Sequence, residues 1–270
     1  MLTASNLSDY MDVELILRHA KTPEEKLLGR RLMDLAQRCD RTGWYTSTDF
    51  LSPAEQAFCK LILPRLGIAY SFDGGYDGAE RACLIFFPDY LEAPARDSEQ
   101  YPISALHIAH PAPLTHRDFL GSVLGLGLER HAIGDILVGE RETVMLATDS
   151  IMPFLLTNLS SVGRVGVAVE QVSPADITPP ELKFEIIKDT VASLRFDSVV
   201  ATAFRVSRET AQKAIRSGAV RLNHLEQLSV SANIAEGDIL SFRGKGKAVL
   251  ETVGNESRKG RIWIQVKRYI

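Results

Sequence analysis

The stretch VSRETAQKAIRSGAVRLN, Val206 to Asn223, constrains this chain more than any other. Ser207 can cap a helix, with Glu209 in the first turn, where the helix dipole favours an anion. Ala211, Ala214 and Ile215 recur at helical spacing and make an apolar face. Gly218 is a natural stop, because glycine adopts the left-handed backbone without a steric penalty. Val220 and Leu222 then alternate with Arg221, the period of a half-buried strand with Arg221 outward. Beside the apolar face lie Arg208, Gln212 and Arg216, four residues apart, with Lys213 further round. What these cations face is the functional question.

The neighbouring sequence supplies more of them. SLRFDSVVATAFR predicts a preceding helix that offers Leu194, Val199, Ala203 and Phe204 to a core and carries Arg195 near its start. Further on, Arg243-Gly244-Lys245-Gly246-Lys247 alternates cations with glycines after a strand in which Leu240 and Phe242 share a face. Glycines there let backbone amides approach a phosphate; a plain surface turn is the bland alternative. Residues 194–270 hold 14 Lys/Arg against 7 Asp/Glu, a formal +7, and the rest holds 17 against 27, −10. A basic module on an acidic body points to a polyanion partner, or to no more than an uneven solvated surface.

The remainder reads as an α+β chain. Thr22-Pro23-Glu24-Glu25 and Ser52-Pro53-Ala54-Glu55 are capping boxes with proline at the first helical position. The first helix places Leu28, Leu32, Leu35 and Cys39 on one face and stops near Gly43; the second runs to about Pro64. Residues 1–75 are expected as a helical subdomain, with the turn-rich FDGGYDGAER (Phe72–Arg81) at its boundary. Residues 76–178 are expected as an RRM-like or ferredoxin-like sandwich. It would have strands near Ile103–Ala109, Asp135–Gly139, Thr143–Thr148 and Arg164–Gln171 and helices near His116–Glu129 and Ser150–Leu159, preceded by an extra strand, CLIFF (Cys83–Phe87). Its candidate central strands, ISALHIA and TVMLAT, lack the aromatics on which an RNA-binding RRM stacks bases. SPADITPPE (Ser173–Glu181) reads as a linker, and 179–270 as the basic module with a C-terminal strand.

Several chemistries are disfavoured. Three dispersed cysteines without a CxxC pair argue against a disulfide scaffold or zinc site. The start, MLTASNLSDYMDVE, has no apolar signal core, and no apolar run reaches the ~18 residues that span a bilayer. A soluble, cytoplasmic protein is therefore expected. His116-Arg117-Asp118 has the letters of a kinase catalytic loop, but Val123 stands where that loop needs asparagine. GLGLER (Gly125–Arg130) lacks the third glycine of a dinucleotide fingerprint and does not follow a strand; small residues at Gly121, Gly125 and Gly127 would allow close packing on the sheet. His116, Arg117, Asp118, Arg130 and Asp135 are either a binding surface or a capped helix end.

LRFDSVVATAFRVSRETAQKAIRSGAVRLNHLEQLSVSANIAEGDILSFRGKGKAVL resembles an S4 RNA-binding domain. The resemblance lies in its Arg-x-Asp start, its Ser-Arg at the second helix, Ile-x-x-Gly-x-Val-x-x-Asn and a later Gly-Asp. Phe196, where leucine is usual, and His224, where glycine is common, depart from it. With FDGGYDGAER, LTHRDFLGSVLGLGLERHAIGDILV and RKGRIWIQVKRYI, the likeness extends from about Pro23 to the end and is to the YlmH family of bacterial S4-domain proteins. Trp263 stands where that family more usually has a polar residue.

The resemblance implies a helical part and an RRM-like middle before an S4 domain, and a role in ribosome-associated quality control. Family members bind stalled large ribosomal subunits and touch rRNA and tRNA. The residues expected to contact RNA are Arg195, Arg208, Gln212, Lys213, Arg216, Asn223, Arg243, Lys245 and Lys247; Asn223 could instead cap the strand-to-turn junction. A monomer is expected, with no catalytic group, cofactor or metal. The rival reading is an RNA-modifying enzyme, of pseudouridine synthase or methyltransferase type, that uses S4 for docking.

Overall fold

In a computed structural model, residues 17–178, 183–257 and 260–269 are described. The acidic start, the end of the proline-rich linker and Arg258-Lys259 of the C-terminal stretch lie outside them. The chain divides into two compact units, Met1–Pro180 and Glu181–Ile270.

In the first unit, α1 (Pro23–Thr42) and α2 (Pro53–Ile62) both begin in full capping boxes. Thr22 Oγ1 accepts from the Glu25 amide at 3.2 Å while Glu25 accepts from the Thr22 amide at 3.2 Å. Helix α1 ends at Gly43, whose φ of 65° is left-handed. Short β1 (Thr46–Ser47), β2 (Ala69–Asp73) and β3 (Cys83–Phe87) form an antiparallel sheet in the order β1-β3-β2. The turn-rich FDGGYDGAER segment is the loop of the β2–β3 hairpin. Leu32, Ala36, Phe58, Ile62, Leu84 and Phe86 fill the core between helices and sheet.

The second sheet of this unit contains β4 (Ile103–Ala109), β5 (Ile133–Val138), β6 (Glu142–Thr148) and β9 (Ala168–Val172), with α3 (His116–Gly125) and α4 (Met152–Asn158) between them. The small hairpin β7 (Ser161–Val162) and β8 (Val165–Gly166) precedes β9, so the strand expected over 164–171 is two pieces. The sheet order is β5-β6-β4-β9, antiparallel throughout. Phe119, Val123, Met152 and Leu155 pack on one face. On the other face, Ile103, Ala105 and Leu146 are buried among Phe50, Tyr76, Cys83 and Ile85.

Helix α3 stops at Gly125, four residues short of the expected Glu129, because Gly127 turns left-handed (φ 86°) and donates to the Leu124 carbonyl. Gly121 and Gly125 face open space, so close packing is not their reason. Close packing does explain Gly134, where a Cβ would lie 2.6 Å from the Phe50 ring and 2.8 Å from Leu146.

The second unit is a six-stranded antiparallel sheet in the order β10-β15-β14-β13-β11-β12. Its strands are β10 (Phe184–Val191), β11 (Val220–Leu222), β12 (Leu225–Glu226), β13 (Ile239–Phe242), β14 (Gly246–Glu256) and β15 (Ile262–Tyr269). Helices α5 (Phe196–Ala203) and α6 (Arg208–Arg216) cover one face over a core of Phe196, Val199, Ile215, Leu240, Leu250 and Val266. Ser207 caps α6 and Gly218, at φ 68°, turns the chain into β11. The first amides of α5 have no side-chain cap; Phe196 and Asp197 donate instead to the Ala232 and Val230 carbonyls at 2.8 and 3.0 Å.

Candidate nucleic-acid interface

The expected cations do not form one platform. Asp197, on the first turn of α5, is 0% exposed and draws three of the nine candidates inward. Arg195 donates to it from Nε at 3.1 Å and Nη2 at 3.4 Å. Arg208 does so from Nε at 3.0 Å and Nη2 at 3.2 Å, and Gln212 from Nε2 at 2.6 Å. Burial alone would raise the Asp197 carboxyl, but hydrogen bonds from Arg208, Arg195 and Gln212 outweigh it and hold it well below the usual carboxylate range. The arginines remain 40% and 52% exposed, so each guanidinium is braced on one edge and open on the other. The every-fourth-residue stripe is thus a clamp at its first two positions and a free surface only at Arg216.

Asn223 is exposed, but its side chain is engaged within the fold. Its φ of 49° is left-handed, its amide nitrogen donates to Asp238 at 2.8 Å, and its amide oxygen accepts from Ile239 N at 2.9 Å. It secures the junction between β11 and β13, using its oxygen and one of its two amide hydrogens.

The glycine-rich loop is the turn of the β13–β14 hairpin, with Gly244 and Gly246 left-handed at φ 79° and 94°. Two of its amides are used internally: Arg243 N donates to Ala219 O and Lys245 N to Phe242 O, both at 2.9 Å. Its contribution is therefore side-chain charge, and a backbone cradle is not available from those two groups. Lys245 lies 5.9 Å over the Phe242 ring. Lys247 stands apart on the sheet face opposite the helices, 5.0 Å over Tyr269.

What does converge is a smaller set. Glu209, Gln212, Lys213, Arg216 and Ser217 line one surface hollow, and Gly218, Ala219, Arg221, Ser241 and Arg243 are among the residues that line the next. The two are contiguous at Ser217–Gly218, and the Arg243–Ala219 bond ties the hairpin loop to the end of α6. Lys213, Arg216, Arg221 and Arg243 are all exposed. Arg221 lines the second hollow from the face opposite the helices, because strand alternation turns it away from the core side that holds Val220 and Leu222.

The other motifs serve structure. Asp118 completes a capping box with Thr115, whose amide donates to it at 2.8 Å. Arg130 donates to the carbonyls of Ile133 and Gly134. Asp135 staples the β2–β3 loop, accepting from Tyr76 Oη at 2.9 Å, Glu80 N at 2.7 Å and Arg81 N at 3.2 Å. These residues do not assemble one binding surface. Burial pushes the thiols of Cys39 and Cys59 up to about 11 and about 12, which leaves them protonated and unreactive at neutral pH.

Comparison with known proteins places this geometry. The family model described as "Putative RNA-binding domain in YlmH" matches residues 96–176. "Ribosome-associated protein quality control protein P2" of Bacillus subtilis (strain 168) is 32% identical over 221 residues, which is 82% of this chain and 86% of that protein. The chain belongs to the YlmH family. A YlmH structure, "Cell division protein ylmH from Streptococcus pneumoniae", superimposes with a TM-score of 0.51 at 21% identity, covering 58% of this chain and 96% of that one, and so shares its fold. The YlmH model falls on the segment from Arg96 through β9, whereas the exposed cation cluster lies in the second unit. No helix among the described residues is long and apolar enough to cross a membrane.

Proposed function

We propose that this YlmH-family protein is a non-catalytic, ribosome-associated RNA-binding protein. Its second unit is an S4 domain, and it follows an N-terminal α/β part that runs through β3 (Cys83–Phe87) rather than ending at residue 75, as expected from the sequence, and then an RRM-like sheet up to residue 178. The S4 unit docks as a monomer on structured RNA of the large ribosomal subunit and its bound tRNA, in translation quality control. The observation that carries the reading is the convergence of Lys213, Arg216 and Arg243 around the end of α6. Exposed guanidinium and ammonium groups on adjoining elements suit the closely spaced phosphates of folded RNA, which proteins recognise mainly by shape and backbone contacts.

Arg195 and Arg208 contribute differently. Asp197 holds them in fixed rotamers, so less side-chain entropy is lost when their open edges meet a phosphate. The Bacillus subtilis relative, named as a ribosome-associated quality control protein, supports the ribosomal setting. The part of the four-stranded sheet around Ala105 and Leu146 is covered within its own unit, so RNA contact by 96–176 would use other surfaces.

The test is co-sedimentation of the full chain with purified large ribosomal subunits. The Arg216→Glu/Arg243→Glu double variant, with unchanged thermal unfolding, is expected to stay in the supernatant under conditions where the parent pellets. Equal pelleting of both would refute the assignment.

A further inference from the structure

The sheet face turned away from α5 and α6 carries a pattern that the helix-side cations do not explain. Antiparallel register sets Phe184 opposite Tyr269, Ile186 opposite Lys267 and Thr190 opposite Trp263. On the next strand, Val249 pairs with Lys267. Ser241 links Lys247 on one side to Arg221 on the other. Alternation sends the intervening Ile264 and Val266 into the core and leaves this set outward. Phe184 is 45% and Trp263 51% exposed. Lys267 Nζ sits 4.0 Å over the Phe184 ring and 5.9 Å from Tyr269, and Lys247 Nζ lies 5.0 Å over Tyr269. Gly254 clears the other end: a Cβ there would come 3.2 Å from that of Trp263.

We infer that this outer face is a second nucleic-acid surface, one that takes unpaired RNA by stacking bases on Phe184, Tyr269 and Trp263 while Lys247 and Lys267 meet the phosphates. The inference rests on the RNA-binding reading above and extends it to a different face and a different RNA conformation. Aromatic rings interleaved with cations are the arrangement that binds single strands without sequence preference, since every base offers a π-face. From Trp263 to Tyr269 the strip runs about 20 Å along β15, at ~3.3 Å per residue, long enough for a short extended segment. Charge favours a polyanion over an acidic-and-apolar protein surface: Lys188, Lys247 and Lys267 point outward beside the rings and Glu251 is engaged by Gln265 at 2.7 Å, while Arg221 at the far edge stands opposite Glu226.

The probe is a twelve-nucleotide oligouridylate, with the full chain in a Trp44→Phe background so that Trp263 is the single tryptophan reporter. Binding is expected to quench Trp263 fluorescence. Phe184→Ala/Trp263→Ala, read by anisotropy of labelled oligouridylate, is expected to weaken binding at least tenfold, as loss of base stacking does. Lys213→Ala/Arg216→Ala is expected to weaken binding of large-subunit ribosomal RNA and to leave oligouridylate affinity within about twofold.

The face is refuted as an RNA surface if oligouridylate neither quenches Trp263 nor responds to Phe184→Ala/Trp263→Ala while ribosomal RNA still binds. Concentration-dependent self-association of the full chain that disappears in that variant would refute it too, by assigning the face to protein contact. Failure of both RNAs to bind would instead remove the underlying RNA-binding reading.

Discussion

Asp197→Asn is the most informative single substitution in the second unit. It preserves shape and removes the charge that Arg195, Arg208 and Gln212 share through five contacts of 2.6–3.4 Å. Breaking a buried ion pair costs roughly 3–5 kcal/mol when the surviving charge is trapped in the interior. Here the survivors are guanidiniums about half exposed, which regain water, so the cost is reduced to about 2–4 kcal/mol. For a unit of this size that corresponds to a fall of about 10–25 °C in its unfolding midpoint. Arg208→Ala leaves Asp197 paired with Arg195 and bonded to Gln212, and is expected to cost less than Asp197→Asn. The assay is thermal unfolding of the full chain followed by Trp263 fluorescence in a Trp44→Phe background. A midpoint within about 2 °C of the parent for Asp197→Asn, or a larger loss for Arg208→Ala, would refute the clamp.

Three further outcomes follow from the same geometry. The depressed Asp197 carboxyl contributes stability that is present above the ordinary carboxylate range and lost as pH falls through its folded value; the Trp263-reported midpoint should therefore hold through mild acid and drop only in strong acid, less steeply in Asp197→Asn. Asn223→Ala should cost about 1–2 kcal/mol, because it removes two hydrogen bonds and places alanine at a positive φ, while leaving RNA affinity at saturating fold unchanged. Gly121→Ala should raise stability by about 0.5–1 kcal/mol, since its helical site opens on solvent, whereas Gly134→Ala should lose about 1–3 kcal/mol against Phe50 and Leu146; calorimetry of both distinguishes them.

What the sequence reveals here is what is local in it. The capping boxes at Thr22, Ser52 and Thr115 and the stop at Gly218 need partners three or four residues away, so spacing alone specifies them. The clamp is not local: Arg208 and Gln212 reach Asp197 from a different helix, 11 and 15 residues on, and periodicity shows a stripe without showing what it turns toward. Strand β10 is equally hidden, because FEIIKDTV alternates weakly and its partner β15 lies at the other end of the unit. The outer aromatic strip is assembled from β10, β14 and β15 and is visible only once register is known. Asn223 shows the remaining limit: residue type alone does not reveal a junction brace, and only the hydrogen bonds to Asp238 and Ile239 show it.

The central claim is that exposed cations around the end of α6 neutralise RNA phosphates. The most direct measurement is affinity for purified large-subunit ribosomal RNA between about 50 and 200 mM salt, for the parent and Lys213→Ala/Arg216→Ala/Arg243→Ala. Each phosphate contact contributes roughly 0.7–0.9 to the slope of log affinity against log salt, so the triple variant should be weaker and its slope shallower by about 2–3. Parallel lines of equal slope would mean these three side chains meet no phosphate, and would contradict the account.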